Sequence, residues 1–259
     1  TKFLYAGGAT SSGTVVVINK KALPRLTDKS QAPVVIGALA AVRSGMQILL
    51  WGREYLGWNT RLVMGYQSTQ AMKLAILRGE IDMVSMADVR DIKEILDAGD
   101  FALLTQAGYL KNGRSERRAQ FDTPVFTELL EERVKDAVAK NALNYTRNLM
   151  QVGQWLALPP DAPAALLPAY RAAFHAAYND AEFQEKISGV FPGIVEIDGD
   201  AMRDVAQSLA QTSPEAIDYM NALMKKPQGT DGASGERKPE MTGRTPGGWA
   251  IVVAGAVLA

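Results

Sequence analysis

The sequence predicts an α/β fold built on a mostly parallel sheet with both faces covered. Short, apolar, β-branched runs recur through the first half of the chain, helical patterns lie between them, and their spacing is that of strand–helix–strand units. Residues 14–18 (TVVVI) and 33–37 (PVVIG) read as buried strands, because β-branched side chains suit a pleated surface with cover on both sides. A loop over 38–44 leads into a helical stretch at 45–56. Residues 61–64 (RLVM) form a third strand, followed by GYQST at 65–69 and a helix over 70–78, which Ser68 or Thr69 can cap and Gly79 can end. Residues 80–84 (EIDMV) read as a fourth strand, with Glu80 and Asp82 alternating with Ile81 and so facing outward, and 101–106 (FALLTQ) as a fifth. The second half is more helical. Residues 164–178 place Leu167, Tyr170, Phe174 and Tyr178 on one face, Asn179 and Asp180 break that helix, and 181–188, 200–210 and 213–225 supply three more, the last opening on Ser-Pro-Glu.

Composition narrows the function. The 28 basic and 28 acidic residues cancel, so no basic field invites nucleic acid. With no cysteine there is no disulfide, zinc-thiolate site or cysteine nucleophile. The single histidine, His175, beside Phe174 on a helix flank, lacks the partners of a Ser-His-Asp triad and is expected at an exposed or core-edge position. The glycines between Gly7 and Gly13 lack the Lys-Ser/Thr ending of a phosphate loop. Trp51, Trp58 and Trp155 are expected in the core or between lobes, and the run 114–118 (RSERR) as a solvated loop or a docking patch. No catalytic residue, metal or cofactor is expected.

Three zones divide the chain. Residues 1–226 carry the strand and helix patterns. Residues 227–246 are rich in Pro, Gly, Ser and charge and read as a flexible linker. Residues 247–259 (GGWAIVVAGAVLA) are apolar throughout; as a helix they span ~20 Å, short of the ~30 Å core of a bilayer, but they suit the start of a transmembrane helix with Trp249 at the interface. A packed or disordered apolar tail is the other reading. The first residue, Thr1, is not methionine, and no secretion signal follows it, which is the expectation for a processed chain or one given without its start.

Three segments, in matching order and spacing, resemble the tripartite tricarboxylate transporter receptor family of periplasmic solute-binding proteins. Val63-Met64-Gly65-Tyr66 with Lys73 to Asp82 (KLAILRGEID) is similar to that family's strand, Gly-Tyr turn, helix and "RGE-(V/I)-D" run. Phe121 to Leu129 (FDTPVFTEL) is similar to its "D-x-P-x-x-x-E-L" segment. Leu156 to Pro163 (LALPPDAP), with Tyr170-Arg171-Ala172-Ala173-Phe174 and Asn179-Asp180-Ala181-Glu182-Phe183, resembles its "L-A-P-P-G-x-P" hinge, helix and "D-P-E-F" turn, with Pro159 and Pro160 turning the chain between lobes. Together these cover roughly residues 14–225.

The resemblance implies a periplasmic-binding-protein-like fold of two α/β lobes closing on a small organic carboxylate, held by backbone N–H groups at helix N-termini and needing no cofactor. It places the candidate ligand-binding residues on two loops at strand carboxyl ends: Arg43, Ser44 and Gly45 on one, and Tyr66, Gln67, Ser68 and Thr69 on the other. Two departures stand out. The family's glycine- and serine-rich loop is replaced by Ala38 to Arg43, where Arg43 can grip a carboxylate. The first part of the family's first lobe, with its other binding loop, has no counterpart. Ala6-Gly7-Gly8-Ala9-Thr10 echoes that loop but leads into a strand rather than a helix. The resemblance implies a periplasmic receptor for a small carboxylate, working with an integral membrane transporter. The alternative is an accessory subunit of a respiratory, photosynthetic or other periplasm-facing membrane complex, held at the inner membrane by the C-terminal segment, with solute binding lost.

Overall fold

The computed structural model describes residues 3–10, 13–39, 44–111, 114–151, 153–190 and 194–225. Arg43, the linker at 227–246 and the apolar run at 247–259 lie outside the described residues.

The larger sheet contains β2 (Val15–Asn19), β3 (Val34–Ala38), β4 (Thr60–Met64), β5 (Met83–Met86) and β6 (Phe101–Gln106), in the order β4-β3-β5-β2-β6. α1 (Ser44–Tyr55), α2 (Thr69–Leu77) and α3 (Val89–Asp97) connect β3 to β4, β4 to β5 and β5 to β6. Side chains on β2 alternate between two cores. Val16 and Ile18 pack with Ile48 and Trp51 of α1 and with α4 (Ala137–Gln151) and α8 (Pro214–Lys225), while Val15 and Val17 pack with Met72 and Ile76 of α2 and Ile92 and Ile95 of α3. Cover on both faces is why this strand reads as an unbroken apolar run.

The sheets are less parallel than expected. β3 runs parallel to β4 and β5, but β2 is antiparallel to both β5 and β6. β2 enters the sheet directly from β1 (Leu4–Ala9) of the smaller sheet, without a helical crossover to reverse its direction. The smaller sheet, ordered β10-β1-β9 with β9 (Gln154–Leu158) and β10 (Glu196–Asp198), is antiparallel at both pairings. α5 (Leu167–Tyr178) and α6 (Ala181–Val190) link β9 to β10, and α7 (Gly199–Ala210) follows, packing Met202, Val205 and Ala206 against Tyr5. The glycines of β1 belong to this strand rather than to a loop. A Cβ on Gly7 would come within 2.4 Å of the Phe174 ring, so α5 lies against bare backbone there.

Several elements depart from the sequence reading. The fourth strand begins at Met83, three residues after Glu80. Asp82 does not face outward: its carboxylate accepts from Val35 N (2.9 Å) and the Arg25 guanidinium (2.8 Å), fastening β3 to the 3-10 turn Lys20–Arg25. On α5 the inward position expected for Tyr170 belongs to Arg171, whose guanidinium bonds to the Tyr5 carbonyl and both Asp200 oxygens (3.2, 3.1 and 2.9 Å). Tyr170 is exposed. Pro159 and Pro160 turn the chain between β9 and α5, within the smaller sheet's own layer rather than between the two sheets. Trp51 and Trp58 are core residues as expected, with Trp51 Nε1 donating to Thr146 Oγ1 (3.2 Å). Trp155, on the edge strand β9, is 46% exposed. Among the described residues no helix is long and apolar enough to cross a membrane.

Candidate functional site at the carboxyl edge of the larger sheet

β3, β4 and β5 all end on the same edge of the larger sheet, and each is followed by a helix that starts there. Helix N-termini carry unsatisfied N–H groups and partial positive charge, so this edge suits an anion. Because β2 runs the other way, its first residue, Val15, pairs with Met86 and Gln106 on that edge. The link from the smaller sheet therefore arrives where the helices begin.

Ser44 and Gly45 open α1 after β3, and Tyr66, Gln67, Ser68 and Thr69 follow β4. The parallel register that sets Ala38 beside Met64 makes these two loops neighbours. Ser68 is the cap of α2: its Oγ accepts from Ala71 N at 3.1 Å, one of the two capping roles expected. That leaves the N–H groups of Thr69 and Gln70 in the first turn without partners inside the helix. Tyr66 is half-buried, its ring lying over Gly37, where a Cβ would approach Cε2 to 3.1 Å. Burial, aided by the Glu80 carboxylate, raises its phenol above the ordinary value, so it stays a protonated donor at neutral pH. Gln67 folds its amide back to donate to the Gly65 carbonyl at 3.1 Å.

The third helix start is already occupied. The Asp88 carboxylate caps α3, accepting from Arg90 N (2.8 Å) and Asp91 N (3.3 Å), so the positive end of α3 is matched by the chain's own anion. The start of α2, capped by the neutral Ser68 hydroxyl, carries no such charge.

Arg118 lies at this edge, although its run was expected as a solvated loop or a docking patch. It is only 5% exposed. Its backbone N–H donates to Gln106 Oε1 (2.7 Å), Nη2 donates to Thr10 Oγ1 (3.3 Å) after β1, and Cζ lies 5.9 Å from the centre of the Tyr109 ring. Burial draws its pKa below the usual arginine value, opposed by the nearby Tyr109 and Tyr178 phenols, yet a guanidinium remains charged. Gly13 adopts φ 71 against it, and a Cβ there would lie 2.2 Å from Nε. Gln106 is fully buried: its amide nitrogen donates to the Phe121 and Thr123 carbonyls (2.9 and 2.8 Å), while its oxygen takes the Arg118 N–H. The segment 121–129 is thereby a structural strap, closed by Glu128, which accepts from Val125 N and pairs with Arg117 at 2.8 Å.

His175 lies on the surface with Nδ1 3.0 Å from the Glu196 carboxylate, away from this edge and in keeping with its expected exposure. No group of three or more His, Asp or Glu among the described residues could hold a metal ion.

No family model matches the sequence, and no curated protein matches it. Solved structures do. A TctC solute-binding protein from Polaromonas is similar over 84% of this chain and 70% of its own, with a TM-score of 0.60 at 14% identity. The periplasmic binding protein BugD is similar over 85% of this chain and 69% of its own, with a TM-score of 0.50 at 16% identity. At this identity the likeness is one of fold, and it is the fold that the motif resemblance implied.

Proposed function

We propose that the chain is a periplasmic solute-binding domain that takes a small organic carboxylate at the carboxyl edge of its larger sheet, for an integral membrane transporter, and that it acts by binding rather than catalysis. The observation that carries this reading is the pairing of the starts of α1 and α2 on one edge, the edge at which the link from the smaller sheet arrives. In it the backbone of Ser44, Gly45, Ser68 and Thr69 receives the carboxylate, Tyr66 and Gln67 border it, and Arg43 supplies a guanidinium. The likeness in fold to a TctC solute-binding protein and to BugD supports the same class of activity.

Thermal unfolding against a panel of mono- and dicarboxylates tests it. A ligand at one hundred times its dissociation constant adds about 2.7 kcal/mol, which raises Tm by roughly 5–10 °C in a domain of this size. Tyr66→Phe should weaken the best ligand roughly fivefold, the scale of one hydrogen bond. A flat response across the panel from folded protein discards the reading.

A further inference from the structure

Arg118 joins the two sheets where the chain passes from β1 to β2. Its main chain belongs to the larger sheet. The Arg118 N–H donates to Gln106 Oε1 at 2.7 Å and its carbonyl accepts from Phe121 N at 3.0 Å, while Gln106, the last residue of β6, pairs with Val15 of β2. Its side chain belongs to the smaller sheet. Nη2 donates at 3.3 Å to the hydroxyl of Thr10, which follows β1, and the same hydroxyl accepts from Val195 N at 3.2 Å. Thr10 N in turn donates to the Val195 carbonyl at 2.8 Å, which fastens Thr10 to the residue just before β10. One long side chain thus runs from a fixed strap on one sheet to a fixed residue on the other.

The fit around it is close. Arg118 is buried, the Tyr109 ring lies beside its Cζ, and the backbone at Gly13 passes so near Nε that a Cβ there is excluded. The chemistry of the contact suits a joint. A charged donor bonded to a neutral hydroxyl holds better than a neutral pair but less firmly than an ion pair. The guanidinium stays charged at any working pH, and its planar fork presents the donor at a set angle. The place matters as well. Val15, the first residue of β2, pairs with Met86 and Gln106 at the edge where α1 and α2 begin, so the way β1 leaves the smaller sheet decides what stands near those helix starts.

We propose that Arg118 is a positioning residue, a clasp that holds the end of β1 in a set place at the carboxyl edge of the larger sheet and thereby sets the affinity of the solute site. The statement about affinity rests on the solute-binding reading, whereas the clasp itself does not.

The chain has no cysteine, so paired spin labels attach only where cysteines are introduced. Lys29→Cys, before β3, and Glu185→Cys, on α6, place one exposed label beside each sheet. Pulsed electron resonance then gives the distribution of distances between them in the full chain without ligand. Arg118→Met, close in length but without charge or donors, should broaden that distribution. Thr10→Val, which leaves the guanidinium in place, should broaden it too, whereas Thr10→Ser, which keeps the hydroxyl, should match the parent. A parent-like width in folded Arg118→Met overturns the clasp. Broadening in that variant with none in Thr10→Val also overturns it, because Arg118 would then act through other contacts. If Arg118→Met does not fold, Thr10→Val decides the question alone. Affinity is read separately, by titrating the mono- or dicarboxylate that raises the parent's Tm most. Both broadened variants should bind it about tenfold more weakly, the scale of a hydrogen bond to a charged group, and Thr10→Ser as tightly as the parent. Unchanged affinity in a variant whose distances have broadened overturns the link between clasp and site. If no carboxylate binds the parent, the solute-binding reading and that link fall together, while the label distances still decide the clasp.

Discussion

In each sheet one strand from the beginning of the chain is inserted antiparallel between two strands that run together: β2 between β5 and β6, and β1 between β9 and β10. The larger sheet has a full core on each face, with Val15, Val16, Val17 and Ile18 of the inserted strand wholly buried. Among the described residues the smaller sheet has one small core, where Tyr5 meets α7, and on the other side an apolar groove and an edge strand, β9, with a single described partner. The same strand arrangement therefore gives a rigid platform in one place and an incompletely covered surface in the other. What separates them is the supply of helices, since α1, α2, α3, α4 and α8 cover the larger sheet.

Two tryptophans test that difference most strongly. Trp51→Ala removes a fully buried side chain from the larger core and should cost about 3–5 kcal/mol in urea unfolding, including the loss of its bond to Thr146. Trp155→Ala, on the exposed edge of the smaller sheet, should cost less than about 1 kcal/mol. Equal costs would mean that the edge of β9 is covered in solution.

The junction between the sheets should fall next in size. Gln106→Leu keeps the volume of a buried side chain but leaves the Phe121 and Thr123 carbonyls and the Arg118 N–H without their partner, for a loss of roughly 2–4 kcal/mol. If the strap at 121–129 merely rests on the larger sheet, the loss will stay near 1 kcal/mol or below. Limited proteolysis within 118–126 would locate the damage.

The contrast in cover also explains what the sequence made legible. TVVVI, PVVIG, RLVM and FALLTQ announce strands because both faces of their sheet are buried. LYAGGA, QWLAL and EID do not, being short, glycine-bearing or exposed, and their pairings join residues about 150 or more positions apart. α4 hides behind the buried polar residues Thr146, Asn148 and Gln151, which break its apolar stripe. α3 did carry a signal, in Asp88 as a cap and in the spacing of Ile92 and Ile95. At the candidate site the same rule holds. Tyr66, Gln67, Ser68 and Thr69 stand at a strand-to-helix turn that local pattern reveals, and Ser68 is one of the two caps expected there. Arg118 is buried among charged neighbours in RSERR, and nothing in that run distinguishes it from Arg117, which pairs with Glu128 on the surface. Its role comes from contacts with Thr10 and Gln106, which no local window contains.

The smallest predicted effect concerns which helix starts remain open to a ligand. Burial raises the Asp88 carboxyl, but hydrogen bonds from Asp91 N and Arg90 N, with the Arg90 guanidinium, outweigh it and hold the pKa below the ordinary carboxylate value. Its folded pKa is thus lower than its unfolded one. The stabilisation is present above the unfolded value, near pH 4, and is lost as pH falls through the folded value. Asp88→Ala should cost about 1 kcal/mol at pH 7, the usual worth of such a cap, and the gap to the parent protein should close as unfolding is measured at progressively lower pH below about 4. The same substitution frees the start of α3. If the carboxylate reading is correct, Asp88→Ala leaves carboxylate binding intact or strengthens it, because it removes a negative charge from the edge where the anion sits. A variant that keeps its fold but loses binding would instead make Asp88 part of the recognition surface, and would point to a ligand bearing a donor group opposite it.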